Sequence, residues 1–150
     1  MCIRDRLAVV AVFTLSFMVL RSYTGGYHSD SRVFCYLGSN LVLLVPVYTQ
    51  AVFYKTSLAW LLAVLLVSAG IIFLLSPMHS KNRKLDKEEQ KHFGRKARLI
   101  AALELAVLGI LWHAGQIPYA YAVYTGICIT ALFMLVGKAQ LWIQSHTENG

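Results

Sequence analysis

The sequence predicts an all-α fold: a polytopic membrane helical bundle with about five transmembrane segments and a short amphipathic helix at the interface. Three observations predict it. Apolar residues make up 57% of the chain and charged residues only 14%, where a soluble domain carries about a quarter charged. The apolar residues fall into long runs, as they do where the bilayer is the solvent. Eight of the fourteen lysines and arginines lie between Lys81 and Arg98, the clustering expected of an inward-facing loop. A net charge of +7 would suggest nucleic acid in a soluble protein; concentrated in one loop of a membrane protein, it does not. The length of 150 residues suits a single domain, 1–150.

The elements follow in order. Residues 7–20 are apolar and uncharged but short for a full span, since a helix rises about 1.5 Å per residue and the hydrocarbon core is about 30 Å thick. They read as a shortened span. No small-x-small cleavage site follows, which argues against a signal peptide. The opening MCIRDR does not read as a natural start to a membrane helix, so an N-terminal part is expected to be missing. Residues 21–32 form a polar loop holding the pair Gly25 and Gly26. Residues 33–54 form the second span, with Pro46 placed to kink it. A turn at 55–57 leads to residues 58–78, the clearest span, with no charge. Residues 79–98 form the basic loop. Spans at 99–113 and 119–137 follow, joined by a turn containing Gly115 and Pro118. Residues 138–150 read as a polar tail.

Charge sets the topology. The basic loop belongs in the cytoplasm; spans alternate, so the loop at 21–32 also faces in and the turn at 55–57 faces out. Within the basic loop, Asp86 and Glu89 resemble a helix-starting capping box. Phe93, Ala97 and Ile100 then recur at i, i+4 and i+7, so a short amphipathic helix is expected before the fourth span. It reads either as a lipid-facing anchor or as a dock for an acidic peptide segment.

The chain has three cysteines, Cys2, Cys35 and Cys128. An odd, widely spaced set argues against a disulfide framework. No Cys/His cluster has zinc spacing, so neither metal nor cofactor is expected. Cys128 reads as a small packing residue. Cys35 differs, because His28 lies seven residues before it. On one straight helix that spacing is about 10 Å, too far for the roughly 3 Å contact of a nucleophile and its base. His28 must therefore sit on a folded-back loop, for which Gly25 and Gly26 supply the freedom. Cys35 would lie in the first turn of the second span. Free N–H groups and the positive helix end stabilise an anion there, Arg32 adds charge, and the same N–H groups suit an oxyanion. Ser39, one turn on, lies on the same face; it reads equally as a site residue or as a hydroxyl bonding a helix carbonyl. On residue types alone, a loop histidine and a helix cysteine are more often surface and packing.

The segment R-x3-G-G-x-H-x6-C-x3-S, from Arg21 to Ser39, resembles the signature of the accessory gene regulator B (AgrB) family. The stretch Pro77, Asn82-Arg83-Lys84-Leu85, Glu88-Glu89 and Arg95-Lys96-Ala97-Arg98 is similar to that family's basic loop, and the resemblance runs along nearly the whole chain from Leu7. It implies a bacterial inner-membrane cysteine endopeptidase of quorum sensing, a thiol protease. Such a protein removes the C-terminal tail of a short AgrD-like precursor peptide. It holds the new C-terminus as a thioester until a Cys or Ser of the peptide attacks to close a thiolactone or lactone. Carried over by motif, Cys35 is the nucleophile and His28 the base, while Arg21 and Gly26 match positions that shape the site. The family's precursors have acidic tails, which Lys81 and Arg83 in the basic stretch would position. Ser29 stands where alanine is common, and Lys84 where proline is.

The expected partners are thus that peptide and membrane lipid, with a homo-oligomer allowed, and the active site is expected on the cytoplasmic face of the cell membrane. Two other functions compete. One is a transporter or peptide-export component using Glu104, Asn40 and Gln50 as pathway groups. It has against it a short chain without repeat halves. The other is a non-catalytic membrane anchor for another protein. Glu104, inside the fourth span, reads as structural, paired with a basic residue or protonated.

Overall fold

In the computed structural model, residues 3–24, 32–76 and 87–148 are described, with backbone alone at 3, 32–40, 87, 89–90 and 148. The described residues form five helices and no strand: α1 (Ile3–Thr24), α2 (Arg32–Lys55), α3 (Leu58–Leu75), α4 (Lys87–His113) and α5 (Ile117–Glu148). An all-α membrane bundle is what composition and apolar runs predict. Three segments, Arg4–Thr24, Leu58–Leu75 and Ile117–Thr147, are long and apolar enough to cross a bilayer.

Three boundaries differ from expectation. α1 takes in Arg4, Asp5 and Arg6 and runs to Thr24, giving 22 residues or about 33 Å, so the first span is not short. Helical hydrogen bonding continues past an apolar run where nothing in the sequence stops it. The amphipathic segment around Phe93 is not a separate helix; it is the first part of α4, which passes into the fourth span without a break. The tail after Gly137 is also helical, because it carries neither proline nor glycine until Gly150 and most of its residues favour helix.

α5 is the central helix. Residues 120–131 are buried nearly all round, the pattern of a helix inside a bundle. Its small residues, Ala120, Ala122, Gly126 and Ala131, admit close neighbours, which matters where lipid leaves packing to drive helix association. α1 lies against α5 along the stripe Val9, Phe13, Phe17, Leu20 and Thr24, at helical spacing. α3 is peripheral: Leu62, Val64, Leu66, Val67 and Leu74 are exposed. It contributes one buried line, Ser68, Ile72 and Ser76.

Contacts fix which ends lie together. α1 and α5 run in the same direction, with Ser16 against Gly126 and Arg21 over Phe133. The turn at Gly115, whose φ is 73°, reverses the chain so that α4 runs the other way. Phe53 of α2 packs on Trp112, Tyr121 and Tyr124, with ring centroids 6.3, 4.9 and 5.3 Å away. One end of the bundle, the turn end, therefore holds both short connections, at Thr56-Ser57 and at 114–116. The opposite, basic end holds Arg21, the start of α2, the C-terminus of α3, the first turns of α4 and the stretch of α5 from Phe133 onward.

Pro46 interrupts the α2 ladder, and a neighbouring helix supplies a bond there. The Tyr121 hydroxyl donates to the Pro46 carbonyl at 2.9 Å and lies 2.5 Å from Thr49 Oγ1. Interhelical hydrogen bonds of this kind contribute about 0.6 kcal/mol and at most about 1.7 in membranes. Tyr121→Phe is expected to destabilise the bundle by about that much, read as thermal unfolding in detergent; an unchanged transition would show the bond to be idle.

Candidate active site

The described part of the site predicted from the sequence, Arg21 and the Cys35 backbone, falls at the basic end. Cys35 lies in the first turn of α2, which starts at Arg32, as expected for a span beginning near residue 33. That turn contains no acidic residue, and its free backbone N–H groups favour an anion. The depth of Cys35 follows from α2. Pro46 and Val47 share a small cleft with Val9 and Val10 of α1. Eleven residues earlier, about 16 Å along the helix, the Cys35 backbone reaches the level of Arg21. Ser39 is one turn deeper in α2.

Arg21 sits in the last turn of α1, half-buried, with its guanidinium carbon 4.6 Å from the Phe133 ring centroid and 5.6 Å from that of Phe17. Such cation–π contacts hold the charged head at the helix end, at about 0.5–2 kcal/mol depending on desolvation. Gly25, Gly26, His28, Lys81 and Arg83 lie outside the described residues, as do the side chains of Arg32, Cys35 and Ser39. The structure thus brings Arg21 and the Cys35 backbone to one level of one end.

Sequence reading missed how Glu104 is held. Among the described residues its partner is the Ser16 hydroxyl, which donates to Oε2 at 2.8 Å, and not a basic residue. The contact joins α1 to α4 beside Gly126 of α5, where a Cβ would come within 2.8 Å of Ser16 Oγ. The signal was faint: one serine, Ser16, in the apolar run 7–20 and one of the two glycines of α5, Gly126. Of the groups a transport pathway would use, Glu104 is engaged in the packed interior. Gln50 is half-buried and has a partner, and the Asn40 side chain lies outside the described residues. Cys128 behaves as a packing residue within hydrogen-bonding reach of Ser68 and Tyr124. Among the described residues no group of His, Cys, Asp and Glu could hold a metal ion.

The family model for accessory gene regulator B matches residues 2–135. The chain belongs to the accessory gene regulator B family. The accessory gene regulator protein B of Staphylococcus intermedius is 26% identical over 121 residues, covering 81% of this chain. The chain spans 62% of the length of that relative. No solved structure matches. The matched region contains the whole Arg21–Ser39 motif, the basic stretch and most of α5, so this member of the family carries its likeness along most of the bundle.

Proposed function

We propose that the chain is a membrane cysteine endopeptidase of quorum sensing that removes the C-terminal tail of a small AgrD-like precursor peptide. The reading is supported by the placement of Cys35 in an acid-free first turn at the Arg21 end of the bundle, within a chain of this family. The Cys35 sulfur attacks the scissile carbonyl while His28 takes the thiol proton. His28 then gives that proton to the departing tail amine, leaving the rest of the peptide as a thioester. N–H groups of the first turn of α2 suit the oxyanion. A thiol or hydroxyl of the peptide next attacks the thioester carbonyl, closes the ring and releases Cys35. High effective concentration favours that group over water. The clustered cations favour a cytoplasmic basic end, and with it a cytoplasmic site.

The test is coexpression with a short candidate precursor that bears an internal Cys or Ser and an acidic tail, followed by mass spectrometry. The expected products are the released tail and a cyclic peptide one water lighter than the linear fragment. An intact precursor would remove the reading.

The basic stretch gives a second expectation. Neutralising Lys81, Arg83 and Lys84 together, as glutamines, should raise KM roughly ten-fold at low salt, from three exposed ion pairs of about 0.5 kcal/mol each, and leave kcat nearly unchanged. The difference should shrink as salt screens the charges. Equal KM values would show that the acidic tail is held elsewhere.

A further inference from the structure

The first turns of α4 continue, in register, the face that the rest of the helix turns to lipid. Ala97, Ala101, Glu104 and Leu108 are buried against the bundle. On the opposite face Lys91, Arg95, Leu99, Ala102, Ala106 and Ile110 recur at intervals of three and four residues, and all are exposed. A helix repeats every 3.6 residues, so one stripe runs the length of α4, cationic at its start and apolar from Leu99 on. Arg98, seven residues after Lys91, flanks it and is exposed too. No acid lies between Lys91 and Arg98; the exposed Glu88 is one turn nearer the start.

Packing fixes the depth of these cations. Ser16 of α1 bonds Glu104, and the two helices run in opposite directions. Arg21, five residues past Ser16, is therefore level with Leu99 and Arg98. α3 gives a similar level. It is 18 residues long, close to the hydrocarbon thickness. Leu58 at its start shares a cleft with Trp112, so its other end is level with Arg95. Arg95 and Arg98 thus stand at the edge of the hydrocarbon, and Lys91 about 6–10 Å further out, in the headgroup layer. The stripe also has a definite outlook. α4 packs on α5, α1 and α3, and α2 packs on α1 and α5. The exposed face of α4 is turned away from α1 and α5, and so from the first turn of α2. A lipid lying against Leu99 and Leu103 has its headgroup beside Arg95, whereas a peptide held at the Cys35 backbone lies on another side of the bundle.

We propose that Lys91, Arg95 and Arg98 bind the headgroup of an anionic phospholipid whose acyl chain lies along Leu99, Leu103 and Ile110. Guanidinium forks match phosphate oxygens in pairs. Long stems carry the charges to the interface while their methylenes stay in apolar surroundings. A headgroup of net negative charge leaves its attraction to the cations uncancelled; a zwitterionic one brings its own ammonium. The inference is independent of the peptidase reading.

The test uses the purified full chain in detergent, titrated with dioleoylphosphatidylglycerol or with dioleoylphosphatidylcholine, with bound lipid counted by native mass spectrometry. The wild type should take the glycerol lipid more tightly. Each of Lys91→Gln, Arg95→Gln and Arg98→Gln should weaken that binding about five-fold, and the triple variant by more than about ten-fold, with binding of the choline lipid unchanged. Arg95→Lys with Arg98→Lys keeps the charge and should keep the preference, as should Lys55→Gln at the turn end. Thermal unfolding identifies any variant that fails to fold, and the single variants then decide. Equal binding of the two lipids by the wild type, or a preference that survives the triple variant, overturns the proposal. So does a triple variant that keeps the lipid preference and loses fluorescein-labelled oligoglutamate, which would make the stripe a dock for acidic peptide.

Discussion

Cleavage of the precursor is expected to vanish in Cys35→Ala and to fall about 10²- to 10⁴-fold in kcat in His28→Ala, the range for losing a general acid–base. The two losses differ in kind. Without the sulfur no thioester forms, so neither tail nor ring appears. Without the imidazole the sulfur remains, and a small thiolate fraction still reacts. Raising the pH should therefore recover part of the His28→Ala activity and none of the Cys35→Ala activity. The double variant should be no worse than Cys35→Ala alone, since groups that act as a unit are not additive. Cys128→Ala is the control: this cysteine lies on α5 beside Ser68, in a cleft lined by Trp60, Val64 and Leu132, so cleavage should persist. Activity that survives in Cys35→Ala, or disappears in Cys128→Ala, would move the nucleophile elsewhere and end the assignment.

Gly126→Val is expected to be the most damaging single change inside the bundle. A Cβ at this position meets Ser16 Oγ at 2.8 Å and Ser16 Cβ at 3.4 Å, with the Phe17 nitrogen at 3.6 Å. Two further methyls drive α1 away from α5. Overpacking alone costs about 1–3 kcal/mol. Displacing Ser16 also strips Glu104 of the donor at 2.8 Å, and a buried acceptor left unpaired costs about 1–3 kcal/mol more. The smaller Gly126→Ala allows a cycle with Ser16→Ala. Each single change should destabilise, and the pair by less than their sum, because the second substitution removes the atom that the first one strikes. Thermal unfolding of the four proteins in one detergent checks this. A Gly126→Val protein that melts with the wild type would mean that α1 and α5 do not meet there.

How much of this was legible in the sequence depended on whether the signal was local. The spans were legible because composition sets solvent: 58–78 contains no charge, and α3 fills most of it. The start of α2 was legible because polar loop gives way to apolar run at residue 33. The end of α5 was not, because polar residues that favour helix carry no stop signal and the chain stayed helical past Gly137. The candidate site was read from a spaced motif, which suggests chemistry but says nothing of contact; the Arg21 contacts with Phe17 and Phe133 needed the fold. The Ser16–Glu104 bond was illegible for the same reason, since its partners are 88 residues apart in sequence.

The last turns of α5 have a practical meaning for anyone wishing to watch this protein. The helix is 32 residues long, or about 48 Å, against a hydrocarbon layer of about 30 Å. Burial stops at Gly137, and every side chain from Lys138 to Thr147 is exposed. This end is a stiff mast and not a loose thread. A dye placed at Gln144 would swing only when the central helix itself turns, so its polarisation would report what the core of the bundle does when a peptide is added.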